Sequence, residues 1–107
     1  MFANIMYFEV AEEELASFLE ANEQAWPKLF RQSGNYYGTT IVHMMDNIYV
    51  AIDTWESKQA VLDFVSDNKA EFLALDEKYS FSKEVCLGAL NEEHYTGQTV
   101  EEIVDAA

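Results

Sequence analysis

The chain has 107 residues, half of them hydrophobic, with 20 Asp and Glu against 6 Lys and Arg for a net charge of −14. That length suits one domain, residues 1–107, with one core. The apolar content excludes a disordered chain, and the acidity excludes nucleic acid and anionic membrane surfaces as expected partners. The single cysteine, Cys86, rules out an internal disulfide. With no signal segment and no apolar run of about 18 residues, the expectation is a cytoplasmic protein.

Ala3 to Val10 is rich in β-branched and aromatic residues and predicts a first strand. Glu12, Glu13 and Glu14 follow, acids that suit the positive end of a helix. Leu15, Phe18, Leu19, Asn22, Ala25, Trp26 and Leu29 then recur at helical spacing, predicting an amphipathic helix to about Gln32. Pro27 should kink it. Tyr36 to Met45 and Ile48 to Trp55 predict two strands joined by a tight turn at Asp46-Asn47. Ser57 is an N-cap for a second helix with Val61, Phe64, Val65, Asn68, Phe72 and Leu75 along one stripe. Tyr79 to Leu90 predicts a fourth strand. Residues 91–107 read as a tail or a short helix opened by the capping box Thr99-Val100-Glu101-Glu102.

The order β-α-β-β-α-β is the ferredoxin-like plan of an α+β sandwich. Two helices cover one face of such a sheet, yet both faces of the third strand are apolar. Ile48, Val50 and Ile52 alternate with Tyr49, Ala51 and Trp55. A second cover is needed, and a homodimer packing sheet to sheet supplies it.

Side chains alternate along strands, so the turn fixes which residues share a face. With Asp46 and Asn47 as the turn, one face carries Ile41, His43, Ile48, Val50 and Ile52, together with Tyr37, Thr39 and Met45. The other carries Tyr36, Gly38, Thr40, Val42, Met44, Tyr49, Ala51, Asp53 and Trp55.

The strand-to-helix junction Asp53-Thr54-Trp55-Glu56-Ser57-Lys58, within the run Asn47 to Phe64, resembles the dimeric α+β barrel superfamily, in particular the antibiotic-biosynthesis-monooxygenase-like proteins. The resemblance implies that the face with Ile41, His43, Ile48, Val50 and Ile52 meets the partner subunit. It implies a ligand cleft between the other face and the helices. Tyr36, Gly38, Tyr49, Ala51, Asp53 and Trp55 would then be its sheet side, with Trp26 and Phe64 closing it. The implied ligand is a small hydrophobic or aromatic molecule.

Each candidate has a plainer reading beside it. Trp55 either stacks on a planar aromatic substrate or is a core residue at the end of a strand. Asp53 is either a general base with a raised pKa or a carboxylate satisfied by Thr40 or by the second helix. His43 falls on the partner face, away from the cleft, and His94 in the polar tail. No metal-ligand spacing is present, so no metal site is expected. Cys86 reads as a small core hydrophobe.

The superfamily hosts several activities. Similar cofactor-independent monooxygenases, which oxidise quinol-type substrates, carry an Asn four positions before the Trp and a Tyr six after it. Ala51 and Val61 stand there in this chain. Haem-degrading relatives use a Trp and a His on the second helix, where this chain has Phe64 and Ala74, so no cofactor is expected. The expectation is a small-molecule protein similar to the monooxygenases, with Trp55 and Asp53 as catalytic candidates. The alternative is a non-catalytic dimer that binds a hydrophobic metabolite or a partner protein.

Overall fold

The computed structural model describes residues 1–79, 81 and 84–91. The strands are β1 (Phe2–Glu9), β2 (Tyr36–Met45), β3 (Ile48–Trp55) and β4 (Glu84–Asn91). They form one antiparallel sheet in the order β2-β3-β1-β4. Two helical arms connect β1 to β2 and β3 to β4, so the molecule is a ferredoxin-like α+β sandwich. The expected C-terminal helix, the reading of Cys86 as core and the placement of His94 lie outside the described side chains.

Neither arm is a single helix. The first runs through α1 (Leu15–Leu19), a π-helical turn (Glu20–Ala25) and α2 (Trp26–Phe30), with 3-10 turns at Glu12–Glu14 and Arg31–Ser33. Pro27 explains the interruption. It has no N–H to return to the preceding turn, and its ring would meet the carbonyl four residues back in a regular α-helix. The wider π-turn, in which Trp26 N–H reaches Ala21 O, relieves that conflict, and α2 restarts with proline in its first turn.

The second arm divides at Asn68 into α3 (Lys58–Asp67) and α4 (Lys69–Lys78). The Asn68 side chain and backbone N–H both bond to Phe64 O, at 3.0 and 2.9 Å. Asn68 therefore ends a helix rather than continuing its apolar stripe. Ser57 caps α3 as expected, its Oγ accepting from Ala60 N–H at 3.1 Å.

The hairpin turn is at Asp46-Asn47, with Met45 opposite Ile48. The strand behind it is not regular. His43 pairs with Tyr49, so Met44 is an extra residue, and the register slips again between Tyr36 and Gly38, where Tyr37 is extra. Asp46 takes a left-handed φ of 46°, and the turn carries no glycine, so the strand absorbs the mismatch.

The first bulge reverses the faces expected for β2. Thr39, Ile41 and His43 stand opposite Asp53, Ala51 and Tyr49, while Gly38, Thr40 and Val42 stand opposite Thr54, Ile52 and Val50. Ile41 and His43 therefore do not share a face with Ile48, Val50 and Ile52. Gly38 does not share one with Tyr36 and Trp55.

The helix-covered face is built in cross-strand rows: Tyr36, Trp55 and Phe2; Thr39, Asp53 and Asn4; Ile41, Ala51 and Met6; His43, Tyr49 and Phe8. Two buried clusters occupy its ends. One gathers Phe2, Phe30, Trp55, Phe64 and Phe72, the other Phe8, Phe18, Ala21, Ala51 and Tyr79, and Trp26 packs against both. The polar row Thr39–Asp53–Asn4 lies between them. On the opposite face, Ile5, Tyr7, Ile48, Val50 and Ile52 are half-buried and Val42 is exposed.

Candidate functional site

A cleft of about 280 Å³ opens where the π-turn faces β2. Asn22 and Glu23 come from the π-turn, Pro27 and Arg31 from the segment after it, and Tyr36, Thr39 and Ile41 from β2. Its size falls just short of the ~300–1,000 Å³ typical of ligand sites. Both walls are irregular: one is the widened helical turn, the other the stretch between the two bulges. Such irregularities recur at functional sites.

Behind the β2 wall lies Asp53. Thr39 Oγ1 donates to Asp53 Oδ1 at 2.7 Å, and the Tyr36 hydroxyl makes a short hydrogen bond to Thr39 Oγ1. The direction of this chain follows from its end. An ionised carboxylate only accepts, so Thr39 spends its one proton on Asp53, and Tyr36 must donate to Thr39. Tyr36 lines the cleft, and its hydroxyl is left with lone pairs to offer as an acceptor. Burial pushes the Asp53 carboxyl up from 3.8 to about 6, against the lowering effect of the Thr39 bond. The Tyr36 hydroxyl is also raised, chiefly by burial; the Thr39 bond lowers it, the Asp53 charge raises it and Arg31 lowers it.

Asn22 is 8% exposed, with Nδ2 donating to Phe18 O at 3.1 Å. Its amide oxygen has no bond among the described residues. Arg31 is exposed at the cleft and makes no ion pair among the described residues, although Glu23 lines the same opening. No group of three or more His, Cys, Asp or Glu side chains among the described residues could hold a metal ion.

Of the residues expected around a pocket, the structure brings Tyr36 to this cleft, and Asp53 stands behind it, bonded to the lining Thr39. Trp55 is 2% exposed. Its indole packs at 5.0 to 5.4 Å, centroid to centroid, against Phe30, Tyr36 and Phe64. Phe64 is sealed in the same cluster, and Trp26 packs on Phe30 and Phe72. Ala51 is buried in the other cluster. Tyr49 lies between Phe18 at 5.0 Å and His43, whose ring stacks on it at 4.4 Å and 6°. Gly38 stands on the far face.

Sequence reasoning missed Thr39, Arg31 and Asn22. The bulge that turns Thr39 inward leaves no mark in the residue pattern. Asn22 did leave one, a polar residue on an apolar helical stripe.

Solved structures with the same layout fit nearly the whole chain. A candidate antibiotic biosynthesis monooxygenase from Nitrosomonas europaea superposes with a TM-score of 0.61 at 10% identity, over 88% of this chain and 100% of that one. The fold is that of the antibiotic biosynthesis monooxygenase-like ferredoxin-fold proteins. MupZ from Pseudomonas fluorescens gives a TM-score of 0.58 at 12% identity, over 82% of this chain and 63% of that one. An uncharacterised ferredoxin-fold protein related to antibiotic biosynthesis monooxygenases, from Listeria monocytogenes, gives 0.52 at 21% identity, over 89% and 56%. No protein-family model matches the sequence, and neither does any curated protein. At these identities the monooxygenase-like likeness is one of fold. One fold hosts many activities, and the side chains it carries decide which.

Proposed function

We propose that this chain is a homodimeric enzyme acting on a small quinol-type molecule held in the cleft, with Asp53 as the base. The observation that carries the reading is the hydrogen-bonded line from the cleft through Tyr36 and Thr39 to the Asp53 carboxylate. A carboxyl with a pKa of about 6 is ionised at neutral pH and a stronger base than an ordinary carboxylate. A substrate hydroxyl bonded to Tyr36 Oη passes its proton there as Tyr36 passes its own to Thr39 and Thr39 passes its own to Asp53. The quinolate left behind is rich in electrons and reacts with dioxygen. A benzene-1,4-diol and dioxygen give a hydroxyquinone and water: one oxygen atom enters the ring, and the other leaves with two hydrogens.

The test is oxygen uptake by the purified protein with a panel of benzene-1,4-diols. The wild-type chain is expected to consume dioxygen and Asp53→Asn to lose at least about a hundredfold in rate. A folded Asp53→Asn variant turning over at the wild-type rate overturns the reading.

One observation favours a second reading, a dimer that binds without turnover. Trp55 is sealed among rings and has Ala51 and Val61, rather than polar groups, at the positions where the similar monooxygenases carry Asn and Tyr. Such a module retains the diol and consumes no oxygen.

A further inference from the structure

We infer that the cleft selects a hydroxy acid, a small ring or enol bearing both a hydroxyl and an anionic group, with Arg31 holding the anion and Tyr36 Oη accepting from the hydroxyl. The inference rests on the cleft being the ligand site and adds the class of ligand.

Two independent features point the same way. The first is direction. Because the Tyr36 proton is committed to Thr39, the tyrosine offers the cleft a lone pair, and a lone pair selects a donor. The second is charge. Arg31 is one of 6 cations in a chain of net charge −14. It lines the cleft close enough to Tyr36 to lower that hydroxyl's pKa, yet it makes no ion pair among the described residues. A guanidinium left without a carboxylate in so acidic a chain is free to serve an anion that arrives with the ligand, through the paired N–H geometry that suits a carboxylate. Pro27 and Ile41 supply apolar surface for the ring. Glu23, the remaining charge at the cleft, disfavours a second anionic group, which limits the ligand to one.

The probes are 2,5-dihydroxybenzoate and its neutral counterpart benzene-1,4-diol, titrated anaerobically into the full chain at pH 7.5 by calorimetry, with NMR shifts to locate binding. The wild-type chain is expected to bind the acid about tenfold tighter, the worth of one charge-assisted contact. Arg31→Met should bring the two within about twofold, and Arg31→Lys should keep part of the difference. Equal binding of both probes by the wild-type chain, with shifts at Tyr36 and Thr39, overturns the hydroxy-acid inference and leaves the cleft reading standing. Discrimination unchanged in Arg31→Met does the same. Failure of both probes to bind at millimolar concentration overturns the two together.

Discussion

Asp53 is held in a place that does not suit a charge. Its carboxyl titrates at about 6, against 3.8 for an unperturbed carboxyl. Between those values the folded chain keeps a proton that the unfolded chain has released. Stability therefore falls as pH rises through that window, by an amount bounded near 3 kcal/mol at about 1.4 kcal/mol per unit. Below about 4 both states are protonated and above about 6 both are ionised, so the contribution is flat outside the window. Asp53→Asn keeps an oxygen for Thr39 and removes the charge. The variant is expected to melt higher than the wild-type chain at pH 7.5 and to converge with it near pH 4, as measured by paired thermal melts across pH. A variant less stable at pH 7.5 would mean that the ionised carboxylate is stabilised in place, and the base assignment would lose its basis. The presence of an inward-facing acid was legible in the sequence, because Asp53 interrupts an apolar strand. Its partner was not: the side chain expected to bond to it was Thr40, and the bulge at Met44 puts Thr39 there instead.

The elements were readable in kind and order, and their irregularities were not. Alternation and helical spacing are averages over many residues, whereas a bulge or a π-turn is one residue out of step. Pro27 was the exception, because a proline's conflict with a helix can be seen in the sequence. The β3-to-α3 junction was legible for a different reason: it is local. Trp55 ends β3, Ser57 caps α3, and Phe64 one helical stretch later comes back against the indole. With Trp55 buried in that cluster, Trp55→Ala is expected to cost about 3–5 kcal/mol in urea unfolding, as large core truncations do. Trp55→Phe should cost much less. A loss under 1 kcal/mol for the alanine variant would show that the indole is not a keystone of the junction.

At the scale of the whole molecule, the sheet has one face under helices and one without a cover within the described chain. The second face presents Ile5, Tyr7, Val50 and Ile52. The dimer proposed above covers these residues, and the corrected register removes Ile41 and His43 from that contact. The chain is expected to sediment as a dimer at micromolar concentration, and Ile52→Asp, placing a charge in the middle of the face, should shift it to monomer without unfolding it. A well-folded wild-type monomer would refute the dimer. No helix among the described residues is long and apolar enough to cross a membrane.

The two walls of the cleft have one irregularity in common, which lies in their lengths. A π-turn spends one more residue per hydrogen-bonded ring than an α-turn, and a bulge sets two residues of one strand against one of its partner. Each wall is thus longer by single residues than its regular form, and the opening lies where the surplus is stored. The cleft therefore depends on the length of the chain in these two stretches as much as on which residues stand there.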